Sequence, residues 1–131
     1  MFPAVGFLLF LVITLVFLSV AVVTGLKASR KRHFVAVAGA VISLLITIYW
    51  AERLGTLYDL DEAGFMTPLH LTVAKATSVA YLLPVITGLR TIKNSEGRKF
   101  HGRIAFGVLI LTVFTAVTGV LMVLMSEPLT A

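Results

Sequence analysis

Four stretches of this chain, roughly 2–26, 34–51, 69–89 and 104–125, are long and apolar enough to cross a bilayer as helices, because a hydrocarbon core of ~30 Å needs ~20 apolar helical residues. Of the 131 residues, 59% are hydrophobic and 13% charged. That balance lies outside the range of ordinary soluble domains and leaves almost no residues over for one. The expected fold class is therefore all-α integral membrane, a four-transmembrane-helix bundle forming a single membrane domain over 1–131. The first stretch has no basic residue before it, runs longer than the apolar region of a secretory signal and lacks a small-residue cleavage site, so it reads as a retained helix. The absence of cysteine excludes disulfides, thiolate metal sites and covalently attached c-type haem.

A net charge of +5 invites a nucleic-acid reading, but its distribution points elsewhere. Lys27, Arg30, Lys31 and Arg32 fill the first loop, and Arg90, Lys93, Arg98, Lys99 and Arg103 fill or flank the third. Both loops are short. The positive-inside rule predicts loops 27–33 and 90–103 to be cytoplasmic, with both termini and the acidic second loop (Glu52, Asp59, Asp61, Glu62) outside. The bilayer is the expected partner, and binding of anionic headgroups is compatible with the same cations.

The chain also repeats itself. TGLK at 24–27 returns as TGLR at 87–90, and each is followed by an RKxH sequence that opens the next helix, RKRH at 30–33 and RKFH at 98–101. A shift of 68 residues aligns His33 with His101, Gly39 with Gly107, Thr47 with Thr115 and Ala51 with Gly119. This predicts two tandem helical hairpins, 2–54 and 66–126, related by a pseudo-two-fold axis along the membrane normal. At helical phase, His101, Ala105, Val108, Thr112, Thr115, Gly119, Met122 and Ser126 share one stripe. His33, Val37, Ala40, Leu44, Thr47 and Ala51 form its counterpart, and Met66, His70, Ala74, Thr77, Tyr81, Pro84 and Gly88 mark the third helix. Small and weakly polar residues of this kind mark helix–helix interfaces in lipid. The first helix offers no comparable set, and Phe7 stands where the repeat would place a partner for His70.

Two imidazoles at one depth on facing helices suit a b-type haem ligated from both sides, an arrangement that favours electron transfer over oxygen chemistry. Arg30, Arg32, Arg98 and Arg103 would then neutralise its propionates through charge-assisted hydrogen bonds. The plainer reading is that both RKxH sequences are basic helix ends at which histidine is one more headgroup contact, since helical side chains lean toward the helix N-terminus. His70 lies at the opposite end with Met66 one turn before it and Met122 at a similar level on the last helix. Imidazole with thioether sulfur suits cuprous copper, although methionine also fills apolar gaps. Lys75 lies about two turns from the outer end, where snorkelling accounts for it. Pro84 is expected to kink the third helix by leaving the Ala80 carbonyl without its donor, and Trp50, Tyr49 and Tyr58 read as an interfacial aromatic belt. No nucleophile–base set, phosphate-cradling glycine loop or zincin motif occurs, which turns the reading away from an enzyme.

The segments RKRHF, HLTVAKA at 70–76, TGLR, RKFHGR and TAVTGVLMVLM at 115–125 resemble the small four-helix membrane family of the CtaM/YozB haem–copper oxidase assembly proteins. The resemblance covers about three helices, nearly all of the chain after residue 24, and the family's histidines would map onto His33, His70 and His101. It implies a role in maturing or supporting a respiratory oxidase in a prokaryotic plasma membrane, through handling of haem or copper. The start of the fourth helix is also similar to small membrane cytochromes b. Three functions follow as expectations: a haem-binding electron-transfer or oxidase-assembly protein ligating through His33 and His101; a copper or haem chaperone using His70, Met66 and Met122; and a metal-free structural subunit of a larger membrane complex.

Overall fold

The computed structural model describes residues 2–129, in which five α-helices make four spans. Helices α1 (Phe2–Leu26) and α2 (Arg30–Gly55) form the first hairpin. The third span, Met66–Lys93, is divided into α3 (Met66–Ala80) and α4 (Leu82–Lys93), and α5 (Arg98–Leu124) completes the second hairpin. Pro84 accounts for the division, because it has no N–H to offer the Ala80 carbonyl. Tyr81 between the two halves keeps helical angles, φ −60° and ψ −22°, so the chain bends without unwinding. The protein is an integral membrane four-helix bundle of two tandem hairpins, with both termini on the same side.

The two seams share a plan. In the first hairpin the hydroxyls of Thr14 and Thr47 meet at 3.1 Å, and in the second those of Thr77 and Thr115 meet at 2.7 Å. A shift of 63 residues carries Thr14 onto Thr77, and the shift of 68 carries Thr47 onto Thr115, so the same contact is made twice. Such hydrogen bonds between helices contribute roughly 0.6 kcal/mol each in a bilayer, enough to select a register without dominating stability. Close packing supplies the rest, and here the hairpins differ. In the first, the Trp50 ring lies against Gly6 and the Phe17 ring against Gly39. In the second, further hydroxyls line the seam, with the Tyr81 phenol 2.7 Å from Thr112 Oγ1.

The predicted stripes of α2, α3 and α5 face inward: Ala40, Thr47, Thr77, Val108, Thr112, Gly119 and Met122 are buried, while Pro84 and Gly88 of α4 are half-buried. The expectation that the first helix lacks an inward set is corrected. Thr14, Ala21 and Thr24 are its buried residues, and Thr14 is only 1% exposed. Three small side chains among leucine, valine and phenylalanine on every face leave almost no amphipathic contrast, so periodicity was silent where spacing of small residues was informative. Lys75 is exposed, away from the seam, as snorkelling requires.

The hairpins are joined mainly through α5, which packs on α3 and α4 and also on α1. At the acidic end Tyr58–Asp59 (β1) pairs antiparallel with Glu127–Pro128 (β2), tying the second loop to the segment after α5. At the basic end the α1–α2 turn is only three residues long and requires Ala28 at φ 56°, a left-handed conformation that costs an L-residue about 1–2 kcal/mol. Ala28→Gly is therefore expected to stabilise the protein by about 1 kcal/mol, readable as a raised unfolding midpoint in a detergent titration.

A paired-imidazole site at the basic end

All three histidines of the chain are seated in the same way. His33, on the first turn of α2, approaches Gly25 of α1, where an ideal Cβ would lie 3.2 Å from its Nδ1. His101, on the first turn of α5, approaches Gly88 of α4, with Cε1 3.1 Å from the corresponding point. His70 of α3 approaches Gly119 of α5, with Cε1 at 2.8 Å. Each of these glycines follows a threonine, and the chain contains only these three Thr-Gly pairs: 24–25, 87–88 and 118–119. Glycine removes the Cβ that would hold the imidazole off the neighbouring helix.

The threonines help fix which ring nitrogen carries the proton. His33 Nδ1 lies 2.8 Å from the Ala21 carbonyl, and a carbonyl only accepts, so Nδ1–H donates. His101 Nδ1 lies 3.0 Å from Thr87 Oγ1, whose single proton is directed at the Leu83 carbonyl at 2.8 Å; that oxygen accepts from His101 Nδ1–H. His70 Nδ1 meets Thr118 Oγ1 at 3.1 Å, and this hydroxyl is committed to the carbonyls of Phe114 and Thr115. The network assigns one tautomer to all three rings, with Nδ1 protonated and Nε2 holding a lone pair. An imidazole whose Nδ1–H is held by a carbonyl or hydroxyl is oriented and made more basic as a ligand.

His33 and His101 are brought together across the hairpins, with ring centroids 6.1 Å apart and planes at 88°. Both rings are half-buried and hydrogen-bonded through Nδ1 into their own hairpins. Two neutral imidazoles, each with an Nε2 lone pair, thus stand side by side at one end of the bundle.

Among the arginines expected at this end, Arg30, Arg32 and Arg103 are exposed, whereas Arg98 is engaged elsewhere: its Nη2 donates to the Gly25 carbonyl at 2.8 Å and to the Leu26 carbonyl at 3.3 Å. At the opposite end, Met122 is buried and Met66 half-buried. The His70–Thr118 hydrogen bond sets the register of antiparallel α3 and α5, so both sulfurs fall about one turn nearer the acidic end than His70. Among the described residues, no three or more His, Asp or Glu side chains converge on one point.

Sequence reasoning selected the histidine pair but missed the Thr-Gly seats as seats. The signal was present as three such dipeptides for three histidines, each on a helix adjoining its ring. Comparison with family models, with curated protein sequences and with solved structures finds no match to this chain.

Proposed function

We propose that this protein is an integral membrane haem-binding protein, with His33 and His101 as the residues that would hold the haem iron, acting in respiratory electron transfer or in oxidase assembly. The observation that carries this reading is the pair of tautomer-fixed imidazoles 6.1 Å apart at one end of the bundle. The donor count favours haem over a bare ion: tetrahedral zinc needs four ligands, and no third His, Asp or Glu converges among the described residues, whereas a porphyrin supplies four nitrogens of its own. A haem held by these two imidazoles would supply one-electron chemistry. The residues' part is to orient the imidazoles through Ala21 and Thr87 and to offer Arg30, Arg32 and Arg103 to the carboxylates. The resemblance to oxidase assembly proteins supports the same reading, and the positive-inside rule applied to the basic loops supports a cytoplasmic orientation of this end in a prokaryotic plasma membrane.

A second reading draws on His70, which has the same seat and tautomer as the other two and lies about one turn from the level of Met66 and Met122. That donor set suits cuprous copper and a chaperone's exchangeable ligation. The third reading is a metal-free subunit of a larger complex. Oxidised and reduced absorption spectra of the detergent-purified protein, with metal analysis of the same sample, separate the three. Sharp reduced bands that vanish in His33→Ala and in His101→Ala are expected. Stoichiometric copper lost in His70→Ala would replace the haem reading with the second, and a colourless, metal-free protein copurifying with large partners would replace it with the third.

A further inference from the structure

Arg98 makes a side-chain hydrogen bond from the second hairpin to the first at the basic end. Its Nη2 reaches the carbonyls of Gly25 and Leu26, at 2.8 and 3.3 Å. These carbonyls close α1, where the helix dipole concentrates partial negative charge. The Gly25 oxygen also accepts from the Ala28 N–H at 3.2 Å, so the guanidinium adds a cationic second donor at this helix end. The residues at the two ends of this contact are also those that place the imidazoles. Arg98 stands one helical turn before His101 on α5, and Gly25 is the seat of His33.

We propose that Arg98 is a positioning residue: by clasping the C-terminus of α1 it docks the second hairpin on the first and sets the spacing between His33 and His101. The proposal deepens the haem reading and rests on it only for the consequence in ligand binding. The repeat sharpens it. Arg98 aligns with Arg30, and Gly25 and Leu26 align with Gly88 and Leu89, yet among the described residues only Arg98 hydrogen-bonds the carbonyls that end the preceding hairpin's first helix. The contact is thus one-sided, made by the second copy alone. Arg30 stays available to a carboxylate, whereas Arg98 is committed to holding the protein together. Both bonds come from the one Nη2, and lysine should substitute only in part, because its ammonium is a compact, more strongly hydrated charge on a more flexible stem than the guanidinium.

The chain has no cysteine, so a Cys pair at the exposed positions Lys27 and Lys99 reports the docking through spin-label distances in vesicles. The expected result is one narrow distribution in the parent, a longer and broader one in Arg98→Gln, an intermediate one in Arg98→Lys, and no change in the charge control Lys93→Gln. Haem affinity, where the parent binds haem, is expected to fall about 10-fold in Arg98→Gln, with helix content by circular dichroism retained. Unchanged label distances in Arg98→Gln overturn the proposal, as does an equal change in Lys93→Gln. A parent that binds no haem but shows the distance change in Arg98→Gln alone overturns the haem reading and leaves the clasp standing.

Discussion

On the proposed haem site, Gly88→Val is expected to weaken haem binding about 10- to 100-fold while the protein still inserts and remains helical. An ideal Cβ at this position already lies 3.1 Å from Cε1 of His101, tighter than most real contacts, and the two methyl groups of valine would extend into the ring. The imidazole would have to leave, breaking the Nδ1–H bond to Thr87 that orients it and widening its separation from His33. Gly107→Val, on the same helix as His101 but with nothing within 4 Å of its ideal Cβ, is the matched control and is expected to keep full occupancy. Titration of haem into the two apoproteins, followed in the reduced spectrum, checks both. Equal affinities would mean that the seat does not position a ligand.

The second large effect concerns stability. At Gly39 an added Cβ would lie 2.6–2.7 Å from three atoms of the Phe17 ring, and at Gly6 it would lie 2.6 Å from the Trp50 indole. No real Cβ sits so close, and both rings are wedged between α1 and α2, so the helices must part. Gly39→Ala is expected to destabilise the protein by about 1–3 kcal/mol, the usual cost of overpacking. Gly102→Ala meets open space and should instead gain about 0.5–1 kcal/mol from helix propensity. Opposite signs for one chemical change, measured by unfolding titrations in detergent, test whether the first hairpin is locked by ring-on-glycine contacts.

The four spans could be read from length and hydropathy alone, because the bilayer penalises every other arrangement of such segments. The duplicated TGL and RKxH sequences gave the hairpins and their shared orientation, and phase gave the inward stripes of the later spans. What remained hidden has physical causes. The inward face of α1 is made by Thr14, Ala21 and Thr24 within an almost uniformly apolar helix, so no contrast betrayed it. The Thr-Gly seats join histidines and glycines 8 to 49 positions apart, and only packed helices show that Gly119 serves His70 or that Gly88 serves His101. Arg98 looked like one more headgroup-facing cation, since nothing local distinguishes a guanidinium reaching a carbonyl 73 residues away from one reaching a phosphate.

The position of α5 at the junction of the bundle has a consequence for how the chain assembles during synthesis. Helices α1 and α2 carry their own mutual contacts, so the N-terminal pair can dock as soon as residue 55 has emerged, before most of the chain exists. The third span has no such early mate: His70, Thr77 and Tyr81 find their partners only on the last helix to be made. Until then its polar seam must wait in lipid or at the translocation machinery, which makes the arrival of the final span the committing step for the whole bundle.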